Sequence, residues 1–137
     1  MPEPLNLVLF SGTDDKLQSA AILAAGAAAL GTPVNVFLQY WALDAFRTDR
    51  IESDHGLAHE AGPGGRQAVD RLRSAGQASW AETLRQAKEI GVVDVQACSL
   101  SMDLLEIEPS DLDPLVDGVE GVTSFYLNAG AGQIVFI

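Results

Sequence analysis

Leu5-Asn-Leu-Val-Leu-Phe10-Ser11-Gly12-Thr13-Asp14-Asp15-Lys16, an Ala-rich run to Leu30, and then Val34-Asn-Val-Phe-Leu-Gln39 decide the fold of this chain. The first apolar run ends in a turn signal and predicts a buried strand. Ser11 to Asp15 supply hydroxyls and carboxylates that can accept from the free amides of a helix start. The helix that follows is rich in Ala, so it can lie close against a sheet, and Gly31 and Pro33 stop it. Val34 to Gln39 then predicts a second strand. Strand, helix and strand at this spacing form a right-handed parallel crossover.

The same pattern extends outward. Trp41 to Phe46 reads as a short helix at the carboxyl end of the second strand. Residues 49–66 are polar and broken by five glycine or proline positions (Gly56, Gly62, Pro63, Gly64 and Gly65), which predicts a mobile excursion. A helix begins near Gln67, and a firmer one spans Ser79 to Ile90, with Trp80, Leu84 and Ala87 on one face and Gly91 as its cap. Val92 to Ala97 is a third strand, after which Ser101 or Asp103 opens a short helix. Pro109-Ser110-Asp111 starts another small helix. Val119 to Val122, Thr123 to Ala129 and Gln133 to Ile137 read as strand, helix and strand. The alternation predicts one α/β domain over residues 1–137, a three-layer α/β/α sandwich with a mostly parallel sheet of about five strands.

Composition narrows the function. Hydrophobic residues make up 47% of the 137 residues, which suits a folded core. The net charge is −11, and no Lys or Arg follows Lys88. A phosphate backbone or an anionic bilayer would be repelled, so neither nucleic acid nor membrane is an expected partner. The Ala20 to Leu30 run is too short to cross a bilayer, and Met-Pro-Glu-Pro lacks the basic start of a secretory signal. With one cysteine there is no internal disulfide. A cytoplasmic location is the expectation.

In an open parallel sheet, ligands collect at the carboxyl ends of the strands. Three segments converge there by prediction: Ser11-Gly12-Thr13, Tyr40-Trp41 and Cys98-Ser99. Cys98 is the candidate catalytic residue. It precedes a helix, where free amides favour a thiolate, and the expectation is an accessible one. Against it stand an acidic neighbourhood that includes Asp103 and the ordinary role of cysteine as a small buried residue. Ser11, Gly12, Thr13, Tyr40, Trp41, Ser99 and Ser101 are the candidate substrate-binding residues. Ser11 to Lys16 lacks the Gly-Lys-Ser/Thr ending of a phosphate loop. His55 and His59 have helical spacing but no visible third ligand, so neither metal nor cofactor is expected.

At these same segments the chain resembles the DsrE/DsrF/DrsH-like family of sulfur-relay proteins, whose branch is often labelled peroxiredoxin-like. Leu9 to Lys16 is similar to the family's opening strand and helix. Val34 to Phe37 leading to Tyr40-Trp41-Ala42-Leu43 resembles a strand ending in Phe-Trp-Gly-Leu. Ala97-Cys98-Ser99-Leu100-Ser101-Met102-Asp103 resembles an Ala-Cys-x-Met-Ser-Met-Asp block, and Phe125 to Ile137 fits the closing helix and strand. Ala42 replaces a usual Gly, Leu100 a usual Met, and Glu106 a usual Gly. The resemblance implies a five-stranded sandwich that assembles into a trimer or hexamer, and apolar Phe46, Phe125 and Tyr126 in short edge segments add to the expectation of a homo-oligomer. It also implies a persulfide on Cys98, taken from a sulfur donor protein and handed to an acceptor. The other reading is a non-catalytic binding or scaffold oligomer in which Cys98 is structural.

Overall fold

A computed structural model describes residues 2–137. Its core is a sheet of five strands: β1 (Leu5–Leu9), β2 (Val34–Leu38), β3 (Val93–Cys98), β4 (Gly118–Glu120) and β5 (Ile134–Phe136). Their spatial order is β4-β3-β2-β1-β5, and every neighbouring pair is parallel. Parallel strands need crossovers, and six helices surround the sheet: α1 (Asp14–Ala29), α2 (Tyr40–Ala45), α3 (Gly65–Ser74), α4 (Trp80–Ile90), α5 (Ser99–Leu105) and α6 (Val122–Ala129). The predicted three-layer α/β sandwich is therefore the observed fold, with a sheet that is wholly parallel.

Period-two alternation divides the sheet's side chains between two layers. Leu7, Leu9, Val34, Val36, Leu38, Val93, Val95 and Ala97 join the main core with α1 and α4. The offset set, Val8, Phe37 and Cys98, packs with Phe125 of α6. Phe37 and Phe125 stack with ring centroids 4.9 Å apart. Beyond Leu17, the buried residues of α1 are small: Ala20, Ala21, Ala24 and Ala28. Gly91 serves this closeness. A Cβ there would meet Ala28 at 2.8 Å. Its backbone is extended, so steric room rather than a left-handed cap explains the glycine.

The 49–66 excursion is pinned to the start of α1, contrary to the mobile reading. The Asp14 amide donates to Gly56 O, Asp14 Oδ2 accepts from the His55 amide, and Asp15 accepts from the Ala58 amide. Thr13 sits at the N-cap without a side-chain cap bond, so carboxylates of the first turn fold the loop back instead. Ile51 and Ala58 are buried beneath it. Polar composition concealed this, because the apolar anchors are isolated in the sequence.

At the opposite end of the strands, Asn6 is fully buried. Its Nδ2 donates to the carbonyls of Ala129 and Gln133, and its Oδ1 accepts from Asn35 Nδ2 at 2.9 Å. These bonds tie β1 and β2 to the turn between α6 and β5. Buried carbonyls deprived of a donor lose their desolvation compensation. Asn6→Leu is expected to lower unfolding free energy by about 1–3 kcal/mol in urea titrations, with an unchanged m-value.

Candidate functional site

The strand order β3-β2-β1 sets the carboxyl ends of these strands side by side, as the crossover reading requires. Each strand end continues into one of the predicted segments. After β1 come Phe10 to Thr13, after β2 come Gln39 to Trp41, and β3 itself ends in Cys98.

Tight backbone contacts join the first two segments. The Ala42 amide donates to Phe10 O at 3.0 Å. A Cβ on Gly12 would lie 2.3 Å from Trp41 O, so only glycine admits this approach. The Ser11 and Thr13 hydroxyls are 3.5 Å apart. Phe10, Tyr40 and Trp41 form an aromatic run, with centroids 5.0 Å and 5.9 Å apart along it. Trp41 is 55% exposed and forms the outer end of that run.

Tyr40 has φ 44°, a left-handed conformation that costs a non-glycine residue about 1–2 kcal/mol. The Ser101 hydroxyl accepts the Tyr40 amide at 3.1 Å and supports that turn. Ser101 is itself buried. It acts by holding the β2–α2 corner against α5, a positioning role that its sequence context did not reveal.

Cys98 is placed differently. It ends β3, immediately before α5, with an extended backbone. Its side chain is 4% exposed and lies among Val8, Phe37 and Phe125. The expectation of an accessible thiolate is not met in the single chain. The physical reason is the alternation of β3: Val93, Val95 and Ala97 face α1 and α4, which leaves Cys98 on the α6 side. Ser99 stands near Gly121, where a Cβ would come within 3.8 Å of the Ser99 hydroxyl.

One residue beside Cys98 escaped the sequence reading. Glu120 is the register partner of Cys98 across the β3–β4 pair, so both side chains share a face of the sheet. Burial raises the Glu120 carboxyl above the usual carboxylate range, Asp94 raises it further, and the hydrogen bond from Asn128 Nδ2 opposes both. Alternation would have placed Asp94, Gln96 and Cys98 together, but β4 is only three residues long and offers little period to read.

The two histidines have different surroundings. The His55 ring tilts against Trp80 with centroids 5.8 Å apart, while His59 lies exposed on a 3-10 turn. Among the described residues, no group of three or more His, Cys, Asp or Glu is arranged to hold a metal ion.

The opening strand, its helix, the second strand and the excursion are the part of the chain that carries a family match. Residues 2–65 match the DsrE/DsrF/DrsH-like family. The resemblance is borne out over that segment, and the Cys98 block lies beyond it. The chain is also 28% identical over 149 aligned positions to the uncharacterized protein YrkE of Bacillus subtilis (strain 168), covering 93% of this chain and 92% of YrkE. A solved structure of the protein of unknown function MTH1491 from Methanobacterium thermoautotrophicum aligns with a TM-score of 0.49 at 16% identity, covering 97% of this chain and 99% of that one. No helix among the described residues is long and apolar enough to cross a membrane.

Glu120 yields a pH prediction with a definite sign. A carboxyl raised in the folded state favours folding when protonated, and that contribution is lost as pH rises from the ordinary Glu value through the folded one. Glu120→Gln is therefore expected to raise the urea midpoint at pH 7, with the gain vanishing below about pH 4. An equal gain at both pH values would remove ionisation as the cause.

Proposed function

We propose that this protein is an intracellular, cytoplasmic sulfur-relay protein, a persulfide carrier or sulfurtransferase with Cys98 as sulfur acceptor. The match of residues 2–65 to the DsrE/DsrF/DrsH-like family is the observation that carries this reading. Support from geometry is that Cys98 closes a central strand at the carboxyl edge of the parallel sheet. In the transfer, the Cys98 thiolate attacks the outer sulfur of a donor persulfide. A Cys98 Sγ–S bond forms, the donor's S–S bond breaks, and the donor leaves as a thiolate with the bonding pair. An acceptor thiolate then attacks the outer sulfur and releases the Cys98 thiolate. Sulfane sulfur keeps its oxidation level throughout, so one cysteine suffices and no cofactor is needed.

Burial sets a condition on this reading. Cys98 must be uncovered before it reacts, and Phe125 on the eight-residue α6 is the side chain over it. Ser11, Gly12, Thr13, Tyr40, Trp41 and Ser99 would then line the approach, with Ser101 fixing the corner that holds Tyr40. Donor and acceptor are protein thiols or persulfides.

The second reading is a non-catalytic binding module or scaffold. The packing of Cys98 among Val8, Phe37 and Phe125 favours it. Incubation with polysulfide, removal of the excess and intact mass measurement beside Cys98→Ser separates the two. The relay reading expects a sulfur adduct on the native chain alone, which then moves to a small thiol acceptor. Absence of an adduct, together with protection of Cys98 from iodoacetamide until urea unfolds the chain, would establish a structural cysteine.

Self-association into a trimer or hexamer belongs to the same proposal. Phe46 and Phe125 do not supply its surface, because both lie in the protein's own core. Tyr126, with 63% of its surface exposed, does remain available, as do Leu100, Leu104 and Leu127 on α5 and α6. Light scattering is expected to give a mass of three chains or a multiple. A monomer at every concentration, unaffected by Tyr126→Glu, would reject it.

A further inference from the structure

On the α1–α4 side of the sheet, away from Cys98, a groove of about 630 Å³ opens between α1, α3 and the turn at 51–54. That volume falls in the range of small-molecule sites. Much of its lining is apolar: Ile22 and Leu23 of α1, Val69 and Leu72 of α3, and Ile51 and Trp80, with polar Gln18 and Gln77 beside them. Ile22 is 53% exposed and Leu72 51%. No residue of α3 is buried, so this helix stands off the body and leaves two apolar faces apart. Solvating such faces is unfavourable by about 25 cal/mol per Å².

The polar end of the groove is acidic. Asp14, Asp15, Glu52 and Asp54 line it, and Arg73 is the single cationic side chain among the lining residues. Arg73 is itself committed to buried Asp14, at 3.6 Å. Burial works against the Asp15 charge, but the Thr13 hydroxyl and the Ala58 and Lys16 amides outweigh it and keep the carboxyl below its usual range. The Gly56 amide and, more weakly, Arg66 do the same for Asp54. Glu52 and Asp54 are more than half exposed, and each is held through one oxygen, Glu52 Oε1 by Arg85 and Asp54 Oδ1 by Arg66. Both side chains line the groove, each with its second carboxylate oxygen outside these ion pairs.

We propose that this groove binds a small organic cation with an apolar body, the ammonium meeting Glu52 and Asp54 and the hydrocarbon lying between Ile22, Leu23, Val69 and Leu72. Charge complementarity selects the occupant: four carboxylates line the groove against the arginines that pair with Asp14, Glu52 and Asp54, which leaves an acidic balance that disfavours an anion of the same shape. The site is independent of Cys98 and of the relay reading.

The probes are octylammonium, octanol and octanoate, which share one chain and differ in head-group charge. In a Trp41→Phe background Trp80 is the sole tryptophan and reports the groove lining directly. Octylammonium is expected to give a saturable change in Trp80 fluorescence, with octanoate at least about tenfold weaker and octanol between them. Glu52→Gln with Asp54→Asn should weaken octylammonium by about fivefold and leave octanol unchanged. Leu72→Asn should weaken both, and because α3 buries nothing it should leave the unfolding midpoint in place. The charge discrimination should shrink as salt is added. Absence of saturable binding by any probe, or tighter binding of octanoate, overturns the proposal. So does a groove occupied by a second copy, seen as an oligomer that Leu72→Glu disperses.

Discussion

The close seating of α1 on the sheet is the contact on which the remaining structure depends. Four alanines face inward, so the helix axis approaches further than leucines would permit. Dispersion and apolar burial are then shared among many small contacts rather than a few large ones. The arrangement tolerates little. Ala28 lies where any side chain at residue 91 would project, and the turn between α4 and β3 can pass only because Gly91 has none. With α1 fixed in place, its first turn becomes a fixed pair of carboxylates. Asp14 accepts from the Trp80 indole at 3.0 Å and the His55 amide at 3.1 Å, and Asp15 accepts from the Ala58 amide. One helix terminus thereby orders α4 and a polar segment of the chain at once. Amide and indole donors compensate the partial burial of these carboxylates.

The strand ends show a second economy of the same kind. Parallel strands of equal register deliver three loops to one edge, where they compete for space. Gly12 resolves the competition between the first two by yielding to Trp41 O. Tyr40 takes a left-handed backbone conformation, and the neighbours that hold it are the Ser101 hydroxyl and the Phe10 ring. Backbone strain of this sort persists only where surroundings over-determine it. Here the constraint comes from α5, which begins directly after Cys98. The conformation of the β2–α2 corner is therefore coupled to the helix that follows the cysteine, through one hydroxyl.

The sheet was legible because its signals are redundant. Leu5 to Leu9 and Val34 to Leu38 combine apolar content, length and flanking turns, and the alanine run between them admits only a close-packed crossover. The helix over Ser79 to Ile90 was legible as well, though not that the Ser79 hydroxyl caps it by accepting the Glu82 amide. What escaped was whatever depends on side-chain direction or on distant partners. Cys98 lies on the same alternation as Asp94 and Gln96, and reading β3 by period two would have turned it away from the α1 core. Nothing local could place Phe125 over it, since that residue arrives from a helix 24 positions later. The excursion misled for a related reason. Its glycines and acids spell a solvated loop, while the donors and acceptors that pin it belong to Asp14 and Asp15, forty residues earlier in sequence.

A buried cysteine and an exposed aromatic rim at the same sheet edge pose opposite demands. In the resting structure Cys98 packs with Val8, Phe37 and Phe125 and is almost fully withdrawn from solvent. The proposed relay reading would require a partner to uncover the sulfur before it reacts. Phe125 is the natural point of opening, because α6 is short, its C-terminal end is tied to β1 through Asn6, and its outer face carries exposed Tyr126 and Leu127. A protein that covered that outer face would press on the same helix whose inner face covers the cysteine. On the proposed relay reading, contact with a partner and exposure of the thiol would be linked through the eight residues of α6.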